Sequence, residues 1–310
     1  MAEILKPPAV AKGASVAVIA PASSAQPERI RRGVEALMRR GYDVVVSEHA
    51  YGKHPPYFAG TAKQRLDDLH GAFADTSIQA IFCTRGGYGS NYLLQDLDID
   101  LIRANPKPFF AYSDMTTLQM HLLDQIGLVA FHGPMVAADF YLEDGVNDAS
   151  FNESLRGGIV EAGVGQGLRI LRPGRTRGTM YGGCLSILTA ALGTPFAAHT
   201  EGKLLFLEDV GAKPYQIDRM LRHMVLAGKL EGVKGIIFGE MVDCVSPGAS
   251  PDLIEHTILH VLDWFKGPIA IGLRSGHVSQ GNVTLPMGIE AELILEDEPV
   301  LRYLEPAARI

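Results

Sequence analysis

Short apolar runs alternate with amphipathic segments in the first half of the chain, and this alternation constrains the fold most strongly. Residues 27–40 place apolar side chains on one helical face, and Thr61 with Gln64 fits a capping box that opens a second helix. The strand-like runs lie at residues 15–20, 43–46, 80–83, 108–111 and 128–131. Strands that alternate with helices predict an α/β protein with a doubly wound parallel sheet.

Polar or glycine-containing segments follow four of these predicted strands. They are residues 20–23, residues 85–89, Ser113 and residues 132–134. Ligands of doubly wound sheets bind beyond the carboxyl ends of the strands. We therefore expect the four segments to gather at one edge of the sheet and to form a site there.

The second half of the chain is less regular. Glycines crowd residues 157–183, which favours loops, and we place a domain linker at residues 166–178. Residues 1–165 then form the parallel-sheet domain. Residues 179–310 are predicted to form a smaller mixed α+β domain with short strands and a long helix over residues 215–227.

Composition excludes several classes of function. The net charge of −7 and the pI near 5.8 argue against a nucleic-acid or membrane-surface role. Cys83, Cys184 and Cys244 are far apart, so we expect neither a zinc site nor a disulfide framework. The N-terminal residues lack a basic segment followed by a long apolar run. We therefore expect a cytoplasmic protein without a signal peptide or a membrane span.

Ser113 ends an apolar strand pattern, and a helix-like stretch at residues 118–123 follows it closely. A serine on such a sharp turn projects its hydroxyl outward, and the free N–H groups of the following helix point to the same place. Acyl-transfer nucleophiles use this arrangement. Serine is also a preferred helix N-cap, and this segment by itself does not separate the two interpretations.

A nucleophilic serine needs a base. His277 lies in a polar, glycine-rich loop, where functional groups are often found. His132 is the main alternative, because it also follows a strand of the first half. His256 and His260 are four residues apart on a predicted helix, but Thr257 occupies the position that zinc proteases fill with glutamate. We interpret that pair as ordinary helix residues.

The base in turn needs an orienting acid. Glu208 ends the apolar run at residues 204–207, and a carboxylate there is costly to bury unless it is paired. An imidazole partner would satisfy the carboxylate and fix the tautomer of the base. A salt bridge from Glu208 to Arg219 or Arg222 is the alternative.

The loop from Arg85 to Ser90 contains Gly86 and Gly87 directly after a strand. Glycines let backbone N–H groups approach a ligand, which suits an anion nest or an oxyanion hole. Arg85 is suited to bind a carboxylate through two hydrogen bonds. The alternative is a tight turn with an exposed arginine. The spacing matches neither common phosphate-binding motif, and the lysine expected for a kinase is missing.

As a set, the motifs of this chain resemble the LD-carboxypeptidase family, the murein tetrapeptide carboxypeptidases, which are serine peptidases. The matching segments are 20–23, 57–61, Arg65, 83–89, 112–114, 132–134, 182–183, 192–195, 207–210, 215–219 and 276–277. They cover nearly the whole chain in order. The resemblance implies a Rossmann-like N-terminal domain, a smaller C-terminal domain, and often a homodimer.

The resemblance also implies a Ser–Glu–His triad of Ser113, Glu208 and His277. Gly86, Gly87 and the backbone N–H of Asp114 match the oxyanion-hole elements, and we count Arg85 and Tyr88 among the candidate substrate contacts. The triad would then span two domains, and no metal or cofactor is expected.

Two positions depart from the family pattern. Ala111 stands where the family has glycine before Tyr-Ser-Asp, and Cys184 stands where the family has asparagine after Gly-Gly. Neither departure changes a residue of the implied triad, but both bear on which substrate the protein binds.

The expected reaction removes the terminal D-alanine from the cytoplasmic peptide L-Ala-D-Glu-meso-diaminopimelate-D-Ala during peptidoglycan recycling. One alternative is a peptidase like the microcin C immunity peptidases, which cleave peptide–nucleotide conjugates. A non-catalytic ligand-binding protein on the same two-domain plan is another alternative.

Overall fold

The computed structural model describes residues 2–246, 248, 250 and 252–310. It contains two β-sheets with helices packed against them. Its helices are α1 Pro27–Arg39, α2 Ala62–Ala74, α3 Ile99–Ala104, α4 Thr116–Ile126, α5 Asp148–Arg156, α6 Leu185–Ala190, α7 Pro214–Leu226 and α8 Leu253–Val261. Within the described ranges, no helix has both the length and the apolar character needed to cross a membrane.

The first sheet has six strands in the order β12-β5-β4-β3-β1-β2. Its strands are β1 Ser15–Ile19, β2 Asp43–Val46, β3 Ile78–Cys83, β4 Phe109–Ala111, β5 Ala130–His132 and β12 Leu285–Met287. The first five run parallel, as the alternation of strands and helices predicts. Most of their residues are buried, which explains the apolar runs.

The second sheet has eight strands in the order β6-β14-β13-β8-β9-β10-β11-β7. Its strands are β6 Glu161–Gly163, β7 Arg169–Arg172, β8 Gly174–Cys184, β9 Lys203–Glu208, β10 Gly235–Gly239, β11 Ile269–Leu273, β13 Glu290–Leu295 and β14 Val300–Tyr303. Strands β8 to β11 pair in parallel, and the outer strands pair antiparallel. The prediction of a mixed α+β arrangement in the second half is confirmed, with parallel strands at the centre of its sheet.

The glycine-rich stretch at residues 157–183 forms more strand than its composition predicts, because it carries β6, β7 and most of β8. Hydrogen bonds from β13 and β9 on both sides of β8 offset the weak strand propensity of glycine. A Cβ at Gly182 would lie 2.1 Å from the Phe206 carbonyl oxygen, so this position needs glycine. The linker at residues 166–178 stays a prediction, and this segment includes β7 and the start of β8.

Strand β12 joins the two halves of the chain in a way that the sequence does not indicate. It follows the second-half segment that contains His277, yet it pairs antiparallel with β5 of the first sheet. Leu285 lies opposite His132 in this pairing. The segment around His277 is thereby fixed against the edge of the first sheet at which β4 and β5 end.

Candidate active site

Ser113 lies between β4 and α4, on a 3-10 turn that spans Ser113–Met115. Its φ of +64° is in the left-handed region, which is unusual for a residue with a side chain and is found at functional turns. The position before α4 is occupied by Met115, and no side-chain cap is present there. Ser113 is therefore placed as in a nucleophile elbow and does not cap the helix.

The loop after β3 packs directly against this serine. A Cβ at Gly86 would lie 2.7 Å from Ser113 Cβ and 3.1 Å from the backbone nitrogen of Asp114. Gly87 has a φ of +99°, and a Cβ there would lie 2.5 Å from Ser23 Oγ. The close approach to Ser113 thus depends on Gly86, which also lies beside the backbone nitrogen of Asp114, whereas Gly87 lets the same loop pack against Ser23.

The Asp114 side chain holds this loop in place. Its Oδ2 atom accepts a hydrogen bond of 2.8 Å from the Ser90 backbone N–H, and its carbonyl accepts one of 2.7 Å from the Ser90 hydroxyl. Burial raises the pKa of Asp114, and the bonds to Ser90 oppose that shift. The carboxylate of Asp114 thus stabilises the turn, and the expected oxyanion contact through its backbone N–H stays a prediction.

His277 and Glu208 form a close pair. The Nδ1 atom of His277 lies 2.7 Å from Glu208 Oε2, and the His277 backbone N–H donates to the same oxygen at 3.1 Å. Glu208 ends β9 and is fully buried, while the His277 side chain is 21% exposed. The two bonds fix the ring with its Nε2 atom on the side away from the carboxylate, as a general base requires.

The charges of the pair stabilise each other. Burial raises the pKa of Glu208, but the charge of His277 and the contacts with His132 and His277 outweigh burial and bring it to about 2. Burial lowers the pKa of His277, and the Glu208 carboxylate raises it by more, so the net pKa lies above 6.5. Glu208 is therefore a carboxylate at neutral pH and favours the imidazolium that forms when the base accepts a proton.

His132, the alternative base, faces the same carboxylate from the first sheet. Its Nε2 atom lies 3.8 Å from Glu208 Oε1, a distance that is too long for a hydrogen bond. Its Nδ1 atom is 3.1 Å from the Ser275 hydroxyl, and the side chain is fully buried. His132 thus contacts the acid, but unlike His277 it does not line the cavity that contains Ser113.

Sequence reasoning missed a second buried carboxylate, Asp139, on a π-helical turn at Val136–Phe140. Its Oδ1 atom accepts hydrogen bonds from Asn282 Nδ2 at 3.0 Å and from the Tyr112 hydroxyl at 3.4 Å. Burial raises the pKa of Asp139 to about 7, and bonds from Met135, Asn282 and Tyr112 oppose that shift. The available signal was an aspartate within an apolar run, which needs buried partners.

Asp139 connects both ends of the catalytic arrangement. Tyr112 precedes Ser113, and its ring meets the His277 ring edge-on with a centroid distance of 5.1 Å. Asn282 closes the His277 loop, since it accepts from the Gly276 N–H and donates to the Gly276 carbonyl, both at 3.0 Å. The carboxylate therefore contacts the residue before the nucleophile and the loop of the base at once.

A cavity of about 260 Å³ contains the nucleophile and the base. It is lined by Ala25, Gln26, Arg29, Arg85, Gly86, Gly87, Tyr112, Ser113, Met135, Ala137, Ala138 and His277. Among the residues that the structure describes, none makes a hydrogen bond to the Ser113 hydroxyl, which leaves that hydroxyl open to the cavity. In enzymes, the hydrogen bond between a nucleophile and its base is often long without substrate and shortens when substrate binds.

The remaining predicted residues lie elsewhere. Tyr88 lies outside the cavity, where its ring packs against Tyr57, Phe58 and Tyr92. Its role as a substrate contact stays a prediction. His256 and His260 lie on α8, away from the cavity lining.

The alternative partners of Glu208 are on α7. Within the described part of the chain, neither Arg219 nor Arg222 forms an ion pair with Glu208, whose ionic contacts are with His277 and His132. Glu208 is thus paired with an imidazole through Oε2, which is the first of the two interpretations of its buried position, while its Oε1 atom has no hydrogen-bond partner in the described part of the chain.

The two residues that depart from the family pattern, Ala111 and Cys184, are both buried. Ala111 is fully buried in β4, opposite His132 in β5. Cys184 lies opposite Glu208 at the ends of β8 and β9. Its backbone N–H donates to Thr116 Oγ1 at 3.1 Å, and its thiol lies 3.3 Å from the Ser186 hydroxyl. Cys184 therefore lies beside Glu208 and is buried.

The sequence of this chain matches known protein families and relatives over most of its length. Residues 16–133 match the LD-carboxypeptidase N-terminal domain, and residues 177–293 match the LD-carboxypeptidase C-terminal domain. The probable murein peptide carboxypeptidase of Bacillus subtilis is 37% identical, over 93% of this chain and 91% of that protein. The murein tetrapeptide carboxypeptidase of Pseudomonas aeruginosa is 32% identical, over 90% of this chain and 92% of that protein.

A solved structure of the microcin C7 self-immunity protein MccF has the same fold. It superposes with a TM-score of 0.90 at 25% identity, and the match covers 98% of this chain and 100% of that chain. Both family matches, the two carboxypeptidase relatives and the shared fold lead to one conclusion. The chain belongs to the LD-carboxypeptidase family and is a serine peptidase.

Proposed function

We propose that this enzyme is an LD-carboxypeptidase that removes the terminal D-alanine from the murein tetrapeptide L-Ala-D-Glu-meso-diaminopimelate-D-Ala. The observation that carries the proposal is the 2.7 Å contact between His277 Nδ1 and Glu208 Oε2, next to a cavity that His277 shares with Ser113. The names of the relatives from Bacillus subtilis and Pseudomonas aeruginosa support a murein peptide as the substrate.

In the proposed mechanism, His277 Nε2 accepts the proton of the Ser113 hydroxyl as its oxygen attacks the carbonyl carbon before D-alanine. The charge that develops on the carbonyl oxygen is stabilised by the backbone around Gly86 and by the N–H of Asp114. The imidazolium, stabilised by Glu208, then protonates the departing amine and D-alanine leaves.

Water completes the cycle. His277 removes a proton from a water molecule, the resulting hydroxide attacks the acyl-enzyme ester, and Ser113 regains its proton from the imidazolium. Each proton therefore passes through the same imidazole nitrogen, and this chain's own residues supply every proton transfer.

Arg85 is the proposed partner of the terminal carboxylate of D-alanine. Its Nη2 atom lies 3.6 Å from where a Cβ of Gly87 would be, so its guanidinium borders the loop that packs on Ser113. A carboxypeptidase has to recognise a carboxylate one residue beyond the bond that it cleaves. A guanidinium at this place would supply that recognition through two hydrogen bonds.

Mass spectrometry of the tetrapeptide after incubation with the enzyme tests the proposal. We expect the wild-type enzyme to release one alanine, and the Ser113→Ala variant to release none while keeping the circular dichroism spectrum of the wild type. Equal alanine release by both proteins would refute the role of Ser113. Intact tetrapeptide with both proteins would refute the proposed substrate.

A microcin-type immunity peptidase is the second candidate, supported by the TM-score of 0.90 to MccF. One MccF structure is described as a complex with aspartyl sulfamoyl adenosine. We expect this compound to be a poorer substrate than the tetrapeptide, because an adenine base is bound well between aromatic rings. Among the described residues that line the cavity, Tyr112 is the only aromatic side chain apart from the imidazole of His277. Preferential cleavage of the nucleoside conjugate would support the second candidate.

A non-catalytic binding protein is the third candidate, and a serine-reactive fluorophosphonate distinguishes it. We expect covalent labelling of the wild type that is lost in Ser113→Ala. A wild-type protein that stays unlabelled would favour binding without catalysis.

A further inference from the structure

Among the residues that the structure describes, the lining of the cavity that holds Ser113 and His277 includes two arginines and no carboxylate side chain. Arg29 and Arg85 both face it, although the whole chain carries a net charge of −7. Neither arginine forms an ion pair with any residue that the structure describes, whereas Arg31 on the same helix as Arg29 is paired with Glu28. Two guanidinium groups without carboxylate partners beside a nucleophile indicate a ligand that carries more than one negative charge.

The two arginines come from different elements. Arg85 follows β3 and borders the loop that packs on Ser113. Arg29 lies in the first turn of α1, and its guanidinium carbon is 4.7 Å from the centre of the Tyr141 ring. The ring supports the guanidinium through a cation–π contact, so less side-chain freedom is lost when a ligand binds.

The number of carboxylates on the substrate determines what Arg29 can bind. This step rests on the proposed function, in which the leaving D-alanine carries one carboxylate and Arg85 binds it. A second carboxylate must then belong to the acyl part of the peptide. Glutamate and diaminopimelate each keep one free carboxylate there, because each uses only one of its two carboxyl groups in the chain that leads to D-alanine.

We infer that Arg29 binds a carboxylate on the acyl side of the scissile bond and thereby determines specificity for acidic muropeptides. The cavity would then recognise the substrate at two anionic points on either side of the bond that breaks. Residues Ala25, Gln26 and Ala138 line the same cavity and offer no competing charge.

The test combines one enzyme change with two substrate changes. Three peptides are compared: the parent tetrapeptide, its analogue in which the free glutamate carboxylate is a carboxamide, and its analogue in which lysine replaces diaminopimelate. Each analogue lacks one acyl-side carboxylate and keeps the terminal D-alanine carboxylate. The ratio kcat/KM is measured for the wild type and for Arg29→Gln with each peptide.

We expect Arg29→Gln to lower kcat/KM for the parent peptide about fivefold, the upper end of the effect of one ion pair at an exposed site. With one of the two analogues, the variant and the wild type should have the same kcat/KM. The carboxylate that this analogue lacks is then the one that Arg29 binds. Arg29→Lys should recover part of the rate because it keeps the charge without the planar fork. The effect should shrink in high salt.

Arg31→Gln is the matched control, since Arg31 is on the same helix but lies outside the cavity lining. It should leave kcat/KM unchanged with all three peptides. An equal loss for Arg29→Gln with all three peptides, or no loss with the parent, would overturn the inference while the proposed function stands. A wild type that leaves the parent tetrapeptide intact would overturn the proposed function, and the inference with it.

Discussion

Replacing Glu208 with glutamine tests whether the buried charge, rather than the shape of the side chain, supports catalysis. Glutamine has nearly the volume of glutamate, and its amide oxygen can still accept the 2.7 Å bond from His277 Nδ1. What the Glu208→Gln variant lacks is the negative charge that stabilises the imidazolium. We therefore expect the fold to persist, and both the rate and the pH dependence of stability to change.

The structure gives the size of the effect on stability. The pKa of Glu208 is about 2 in the folded protein against an ordinary 4.5. At about 1.4 kcal/mol per pH unit, this difference corresponds to about 3 kcal/mol in favour of the folded state. Because the folded pKa is the lower one, that stabilisation is fully present above pH 4.5 and is lost as the pH falls through 2. The variant has no such dependence.

For the rate, we expect kcat of Glu208→Gln to fall by about 10⁴-fold, the size of the effect when the acid of a comparable triad is made neutral. Release of D-alanine gives kcat, and urea unfolding between pH 7 and pH 3 gives the free energy of unfolding. The difference in stability between the two proteins should shrink toward pH 3. A variant with more than a tenth of the wild-type kcat, or a constant difference in stability, would refute the reasoning.

Glu292→Gln is the matched control. Glu292 on β13 accepts hydrogen bonds from Arg175 at 3.0 Å and from Arg177 at 2.8 Å, and these bonds lower its pKa to about 2. It lies outside the cavity lining. We expect this variant to lose stability in neutral solution while kcat stays at the wild-type value, which separates the loss of a paired carboxylate from the loss of catalysis.

Three further changes probe the geometry around the pair. Asp139 has a pKa of about 7, so it carries its charge in only part of the molecules on the acidic limb of the kcat/KM profile, and that charge raises the pKa of His277. In Asp139→Asn this charge is lost, so the limb should move to lower pH by a small amount; an unmoved limb would contradict this coupling. In Gly276→Ala, the Cβ would lie 2.7 Å from Glu208 Cδ, and we expect about 1 to 3 kcal/mol less stability in urea together with reduced kcat, whereas wild-type values would contradict the contact. In Gly86→Ala, the Cβ would lie 2.9 Å from the serine hydroxyl oxygen, so fluorophosphonate labelling should slow without a large change in Tm, and unchanged labelling would show that the loop can shift.

The turn at Ser113 was predictable because its signal is local. A buried strand that ends in serine shortly before a helix indicates a sharp turn, and the φ of +64° at Ser113 is the structural counterpart of that pattern, whereas the role of Ser113 as nucleophile stays a prediction. The choice between His132 and His277 was not local. Both rings face Glu208, but only His277 makes a hydrogen bond to it, at 2.7 Å against a 3.8 Å distance for His132, and only His277 lines the cavity. Access depends on long-range packing, which spacing along the chain does not report.

Asp139 escaped prediction for a related reason. Its partners Tyr112 and Asn282 are 27 and 143 residues away along the chain. An isolated aspartate in an apolar run indicates that some partner exists but does not identify it. The same limit applies to the glycine-rich stretch before Cys184, where pairing with neighbouring strands offsets the local preference for loops.

Long-range contacts also determine how His277 is held in position relative to Ser113. A triad divided between two domains would depend on linker geometry if the linker were the main connection. The loop of His277 is instead bound to the first half on both sides of the histidine. Before it, the Ser275 hydroxyl lies 3.1 Å from His132 Nδ1, and after it Asn282 donates to Asp139 and β12 pairs with β5. Near the end of β8, the Cys184 N–H donates to Thr116 at the start of α4. The position of His277 relative to Ser113 therefore depends on direct contacts with the first sheet and its loops, and disrupting those contacts should impair catalysis more than lengthening the linker.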